Sequence, residues 1–258
     1  MPHDPDPSLR LLWRHAAPPP EGMPTRRGPK QKLTVDEIVD AAIDIADRDG
    51  LAALSMRGLA QRLGLGAMTL YSYVPGRDDL VVLMVDRVLG RTELPALPEG
   101  LRERMELVAR TQYVDVRAHP WLLDVSGVRP WLGPAMADRY EWQLSAVEGV
   151  GLDDLEMDQT VSLLVGFATN IVRAEHEVQR AERESGMTEL EWWEANAETL
   201  DELMAHHRDY PIAGRVGTAV GEVYQAASDP ARELEFGLAR IIDGLMAYLE
   251  SRPASRSR

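Results

Sequence analysis

The chain contains no cysteine among its 258 residues. Disulfides and thiolate metal sites are therefore excluded, and this composition fits a reducing compartment. The sequence also has no run of about eighteen apolar residues, the length needed to cross a membrane. Residues 1–22 carry scattered proline and charge instead of an apolar stretch ending in small residues, so no signal peptide is predicted. Together these absences predict a soluble, cytoplasmic protein.

Signatures of catalysis are equally scarce. Glu175, His176 and Glu177 are adjacent, and so are His206 and His207, but neither group has the spacing of a metalloprotease helix. The glycines of residues 214–222 follow no strand pattern, so they do not form a dinucleotide-binding turn. No Gly-x-Ser-x-Gly motif occurs. We therefore predict no metal site and no cofactor, and an enzyme is the function class with the least support.

Net charge alone argues against a nucleic-acid partner. The chain has 28 basic and 42 acidic residues, a formal charge of −14, which repels phosphate. An almost purely basic arm, however, precedes the first long helix pattern, and a short arm of this kind can follow phosphates or enter the minor groove. Its alternative is a solvated tail, because Gly28 and Pro29 favour disorder. The basic residues of the arm are Arg26, Arg27, Lys30 and Lys32.

A helix-turn-helix pattern lies between Thr34 and Val74. Thr34 and Glu37 form a capping box at the start of a helix that Gly50 can end, and its face opposite the apolar stripe is acidic and predicted to be solvated. Ser55 is placed as the N-cap of the next helix. A Gly-Leu-Gly turn then leads into a third helix pattern. This order predicts a DNA-binding motif.

The third helix of this pattern would serve as the recognition helix. Leu70 and Val74 are one turn apart and are predicted to face the core. The outward residues form an uncharged surface of small groups, hydroxyls and phenols, which suits base edges and phosphate oxygens. Arg77 follows the helix, where a cation can meet the DNA backbone. The outward residues are Ala67, Met68, Thr69, Tyr71, Ser72 and Tyr73.

Residues 26–84 resemble the DNA-binding domain of the tetracycline-repressor family of bacterial regulators. The resemblance implies that Arg57 reaches a guanine, that residues 67–69 read bases, and that Tyr71, Tyr73 and Arg77 contact or adjoin the DNA backbone. Two alternatives stay open: Tyr71 packs on its own domain, and Arg57 pairs with a nearby acid. The predicted DNA-binding set is Arg26, Arg27, Lys30, Ser55, Arg57, Ala67, Met68, Thr69, Tyr71, Ser72, Tyr73 and Arg77.

The remaining chain predicts an all-α fold, with an N-terminal three-helix helix-turn-helix domain followed by a larger helical ligand-binding and dimerisation domain. A bridging helix begins near Arg77, and further helical patterns occupy 99–118, 134–148, 154–184, 189–208, 213–227 and 230–251. The predicted boundaries are a disordered extension over 1–24, the DNA-binding domain with its basic arm over 25–76, the helical domain over 77–252, and a disordered tail over 253–258.

The last helix pattern favours a homodimer. Residues 230–251 carry an apolar side and two glycines seven residues apart, and with residues 155–178 they offer two helices for a four-helix contact. Residues 235–250 also resemble the closing helix of the tetracycline-repressor ligand domain. A twofold pair would read half-sites about 34 to 36 Å apart in a palindromic operator. The alternative is an ordinary intramolecular core helix.

An aromatic-rich set with a few polar groups predicts a small-molecule pocket, although such residues can equally be core. Residues 125–130 resemble the metal-proximal loop of the family's tetracycline-binding member, but Val125, Val128 and Phe167 offer no metal ligand and only Glu175 is retained. We expect an uncharged, largely apolar effector and not a magnesium chelate. The predicted ligand-binding residues are Tyr113, Trp121, Val125, Val128, Trp131, Trp142, Phe167, Asn170 and Glu175, with His119 and Tyr140 nearby in sequence.

The sequence therefore predicts a repressor that an effector releases from DNA. In this hypothesis the effector displaces the bridging helix and changes the separation of the two recognition helices. A helix-turn-helix dimer without small-molecule control, either a constitutive regulator or an interaction protein, is the alternative.

Overall fold

A computed structural model describes residues 7–15, 33–125, 133–205, 207, 209–226 and 228–252. Within these ranges the fold is all-α, without a strand, and no helix is both long and apolar enough to cross a membrane. Two short 3₁₀ helices occupy Leu51–Ala53 and Pro120–Asp124. The α-helices are α1 (Pro7–Leu12), α2 (Val35–Asp49), α3 (Met56–Arg62), α4 (Ala67–Tyr71), α5 (Arg77–Arg91), α6 (Leu101–Ala118), α7 (Pro134–Ser145), α8 (Asp154–Ser185), α9 (Glu189–Ala205), α10 (Pro211–Tyr224) and α11 (Pro230–Ser251).

Helices α2, α3 and α4 form the predicted three-helix domain. The capping box is present: the backbone N–H of Glu37 donates to Thr34 Oγ1 at 3.2 Å, and that of Thr34 donates to Glu37 Oε2 at 2.6 Å. Gly50 ends α2 with a φ of 82°, a conformation that favours glycine. Leu59 and Leu70 are fully buried and fix α3 and α4 against the apolar face of α2.

A second core forms between α6, α8 and α11, while α7 packs mainly on α5. Met105, Leu164 and Ile242 bring the three helices together with almost no exposed surface. The helix patterns predicted after residue 99 correspond closely to α6 through α11. This larger helical domain confirms the predicted fold class.

The acidic face of α2 is largely solvated, as predicted, and the Asp44 side chain is 67% exposed. Two of its carboxylates also bind groups in other elements. Asp40 accepts from Arg87 Nε at 3.0 Å and from Arg91 Nη2 at 2.6 Å, which joins α2 to α5. Asp47 accepts from Trp121 Nε1 at 2.6 Å, which joins α2 to the segment after α6. These contacts were not predicted because the basic and indole partners lie far away in the sequence.

Residues 7–15 were predicted to be part of a disordered extension, but they contain helix α1 and pack on the first core. Leu12 at the end of α1 is buried in the first core and packs near α5. Arg14 forms an ion pair with Asp36, and His15 Nε2 lies 3.1 Å from the same carboxylate. Burial of this short apolar patch explains why it is ordered here. Residues 1–6, 16–24 and 253–258 of the predicted extension and tail lie outside the described residues.

Helix α5 also holds α7. Asp86 Oδ1 accepts from the backbone N–H of Met136 at 3.2 Å, at the N-terminal end of α7. A Cβ at Gly90 would lie 3.2 Å from Ala135 Cβ, so the two helices approach closely at this point. Burial raises the pKa of Asp86, and the backbone donors of α7 oppose that rise. These two contacts fix the start of α7 against α5.

Candidate nucleic-acid interface and effector domain

Helix α4 presents one buried and one open face. Leu70 and the following Val74 are fully buried, so they orient the helix on its domain. Met68 is 83% exposed and Tyr71 is 45% exposed, so both side chains are available to a partner. Ala67, Thr69 and Ser72 are exposed on the same short helix and its cap. This face is narrow, uncharged and able to enter a major groove.

Arg57 is an exposed cation on α3, the helix that precedes α4. Within the described part of the chain, it makes no hydrogen bond or ion pair. Arg62 on the same helix differs, because its Nη2 lies 3.5 Å from Asp44 Oδ2. The guanidinium of Arg57 therefore keeps its full set of donors, which match the two acceptors of a guanine edge.

Other predicted DNA-binding residues have structural roles in the free protein. Ser55 caps α3 by accepting from the Gly58 N–H at 3.2 Å. Ser72 Oγ donates to the Thr69 carbonyl at 2.6 Å. Tyr73 is half-buried against the first core. Their DNA contacts stay predictions, and the arm residues Arg26, Arg27 and Lys30 lie outside the described residues.

Arg77 links two parts of the DNA-binding domain. Its Nε donates to the Leu54 carbonyl at 3.0 Å, and its Nη2 donates to the Leu51 carbonyl at 2.8 Å. These bonds fasten the start of α5 to the turn before α3. Arg77 thus stabilises the DNA-binding domain itself. Its predicted contact with a DNA phosphate stays a prediction.

Arg77→Ala should lower the free energy of unfolding by about 1 to 3 kcal/mol, because two carbonyls lose a charged donor. It should also weaken binding to all DNA sequences alike, since the position of the motif on α5 changes. Chemical denaturation and DNA titration measure both effects. Arg48→Ala is the control, because among the described residues Arg48 forms an ion pair only with its exposed neighbour Asp49. Equal stability of the two variants would contradict this stabilising role of Arg77.

In the larger domain, the structure brings together two predicted ligand-binding residues. Tyr113 Oη donates to Glu175 Oε1 at 2.5 Å, and Arg117 Nε lies 3.4 Å from Glu175 Oε2. Burial and the adjacent carboxylate raise the pKa of Tyr113 to about 12. Tyr113 therefore stays protonated at neutral pH, and the pair crosses from α6 to α8.

The other predicted ligand-binding residues are dispersed. Trp121 is buried in the first core, and Val125 packs against it at the junction with the DNA-binding domain. Trp142 Nε1 donates to the Pro95 carbonyl at 2.9 Å. Phe167 faces α11, where a Cβ at Gly237 would lie 2.3 Å from the Phe167 ring. Asn170 is exposed on α8, and Val128 and Trp131 lie outside the described residues.

Sequence reasoning missed two polar groups that join elements of the structure. Asp47 accepts from Trp121 and lies 2.7 Å from His119 Nδ1, so it connects α2 to the end of α6. Arg139 on α7 is 2% exposed and forms an ion pair with Asp115 on α6. Helical spacing places both residues on a face, but it does not identify partners in other helices. Within the described residues, no cluster of three potential metal ligands occurs.

The chain is similar in sequence and structure to known bacterial regulators. It is 38% identical to the HTH-type transcriptional repressor DrrR1 of Streptomyces coeruleorubidus, over 95% of this chain and 87% of that protein. It is 32% identical to an HTH-type transcriptional regulator of Saccharopolyspora erythraea, over 81% of this chain and 86% of that protein. Apo ActR of Streptomyces coelicolor matches with a TM-score of 0.65 at 28% identity, covering 85% of this chain and 98% of that structure.

Two family matches cover most of the chain. Residues 38–84 match the bacterial regulatory proteins of the tetR family, and residues 94–249 match the tetracyclin repressor-like C-terminal domain. The first match contains α3, α4 and Arg57, and the second contains α6, α8 and most of α11. The chain therefore belongs to the tetracycline-repressor family of DNA-binding transcriptional regulators.

Proposed function

We propose that two copies of this chain bind a palindromic operator, with one α4 in the major groove of each half-site. The observation that carries this proposal is the open face of α4, where Met68 is 83% exposed, together with Arg57 on α3, which makes no hydrogen bond or ion pair among the described residues. Met68 suits a thymine methyl group, and Arg57 suits a guanine edge. The protein would act on chromosomal DNA in the cytoplasm, without catalysing a reaction.

The dimer would form through α8 and α11. These helices run antiparallel: Glu156 near the start of α8 pairs with Arg252 at the end of α11, and Phe167 packs at Gly237 near its start. Between these two contacts lies a strip of apolar and small residues. Leu163 is 47% exposed, and a Cβ at Gly166 or Gly244 would contact nothing. Such a surface permits close approach of a second helix pair. Asn170 lies one turn beyond Gly166 on α8, so we assign it to this face.

Effector binding would reach the DNA-binding domain by two routes. The end of α6 is joined to α2 through Asp47, and the start of α7 is joined to α5 through Asp86. A hundredfold loss of operator affinity requires about 2.8 kcal/mol of differential effector binding. That difference is modest for a small molecule enclosed by helices.

The effector we propose is an uncharged, largely apolar small molecule. ActR, similar to this chain at 30% identity with a TM-score of 0.63, has been crystallised in complex with actinorhodin. That complex supports a small-molecule effector for the present chain, because the two proteins share the fold of the helical domain. The Tyr113–Glu175 pair, at 2.5 Å, supplies polar groups for such a site.

Selection of bound fragments from the source genome tests operator binding directly. We expect recovery of a palindrome with half-site centres about 34 to 36 Å apart, and affinity that falls steeply with salt. Titration of the bound operator with small molecules then tests release. Binding without sequence preference at low salt would refute the operator proposal. Operator binding that no effector alters would identify a constitutive regulator.

Arg57→Ala should reduce discrimination at one base pair in each half-site by about 1 to 3 kcal/mol, because a guanidinium–guanine contact is lost. The comparison variant, Arg26→Ala with Arg27→Ala, should instead weaken all sequences and reduce the salt slope, as expected for phosphate contacts. Titrations against the operator and single-base variants separate these effects. Unchanged binding in both variants would contradict the contact assignments.

A further inference from the structure

Buried polar side chains are concentrated in one region of the helical domain. Among the described residues, every buried polar or charged side chain lies on α6, α7 or α8. Two of them are four residues apart on α6 and two are four residues apart on α7, so each pair shares a helix face. Apolar cores rarely hold such groups unless they are paired or have a function. We call this set the polar seam; its members are Thr111, Asp115, Arg139, Gln143 and Thr160.

Arg139 is the least satisfied member of the polar seam. Its side chain is 3% exposed, and Nη2 donates to Asp115 Oδ2. Nε and Nη1 are buried and have no hydrogen-bond partner in the described part of the chain. Buried donors without acceptors are unfavourable, and they are more so on a charged group. An acceptor brought by a ligand would relieve this deficit.

The position of Arg139 connects it to the bridging helix. Asp115 Oδ1 accepts from Thr92 Oγ1 at 2.8 Å, and Thr92 is the residue that ends α5. Helix α6 packs mainly on α8, whereas α7 packs mainly on α5, so the Arg139 side chain spans from one helix group to the other. A ligand that engages Arg139 would therefore act between α7 and α6, next to the end of α5.

We propose that Arg139 is the polar anchor of the effector site and donates from Nε or Nη1 to a carbonyl oxygen of the effector. This inference rests on the proposed ligand-controlled function and specifies the class of ligand. Arg139 and Asp115 already neutralise each other, so a neutral carbonyl satisfies the free donors without adding charge. A carboxylate would leave one negative charge buried without a partner. The effector is thus a neutral, largely apolar molecule that carries a carbonyl oxygen.

Matched hydrocarbon and ketone probes test this anchor: fluorene with 9-fluorenone, anthracene with anthraquinone, and tetracene with its quinone. Binding is followed by tryptophan fluorescence on the full-length dimer, and release is followed on bound operator. In at least one pair, the ketone should bind about tenfold or more tightly than the hydrocarbon, as expected for one charge-assisted hydrogen bond. Only that ketone should release the operator.

Arg139→Met should abolish the preference for the ketone. In the Arg139→Met variant the buried Asp115 carboxylate has lost its cationic partner. If that variant does not fold, the double variant Arg139→Met with Asp115→Leu is used instead, because it removes both buried charges. Arg110→Met is the control, because Arg110 pairs with Glu235 on the surface and should keep the preference. A preference that survives in the Arg139 variants, or no preference in any pair, overturns the anchor. Failure of the unmodified protein to bind any operator would instead overturn the proposed function.

Discussion

Leu163→Arg is expected to convert the proposed dimer into a monomer and to weaken operator binding by about a thousandfold or more. Leu163 lies at the centre of the strip between α8 and α11, and it is 47% exposed in the single chain. A guanidinium there is tolerated by the isolated fold but would be buried without a partner in the dimer. Each monomer would then read one half-site, and most of the binding free energy of the pair would be lost.

Light scattering and operator titration measure the two consequences. Val114→Arg is the matched control, because Val114 is 60% exposed on α6 and lies away from the strip. It should remain dimeric and keep its operator affinity. A Leu163 variant that stays dimeric would show that the two copies meet through another surface. A monomer with full operator affinity would refute the requirement for a twofold reader.

Trp121→Ala is expected to lower the free energy of unfolding by about 3 to 5 kcal/mol, the range for removal of a large buried aromatic side chain. Trp121 is 2% exposed and packs in the core that α2, α3, α4 and α5 share. Its indole N–H also donates to Asp47 at 2.6 Å. The substitution would therefore remove both packing and the polar link at the junction of the two domains.

Urea denaturation at a fixed protomer concentration measures this loss. Trp142→Ala is the control, because Trp142 is only half-buried and donates to the Pro95 carbonyl. Trp121→Phe keeps most of the packing but cannot donate to Asp47. We expect it to bind operator normally and to respond less to effector. Equal destabilisation by Trp121→Ala and Trp142→Ala would contradict the structural role of Trp121.

The DNA-binding domain was predictable because its signals are local. The Thr34–Glu37 capping box joins residues three positions apart, and the burial of Leu70 and Val74 follows from a single helical turn. The open face of α4 follows from the same periodicity. The expected pocket was harder to predict, since Trp121 and Phe167 satisfy an aromatic pattern but pack against different helices.

By itself, the sequence determined the helical class, the order of the helices, the helix-turn-helix and the resemblance to a regulator family. Periodic burial and caps act within about one helical turn, so they are readable along the chain. Only the tertiary structure decided that Arg77 binds the Leu51 and Leu54 carbonyls, and that Arg139 meets Asp115 while two of its nitrogens stay without a partner in the described residues. A polar side chain bonds to whichever group the packed helices bring within about 3 Å, and neighbouring residues do not reveal that group.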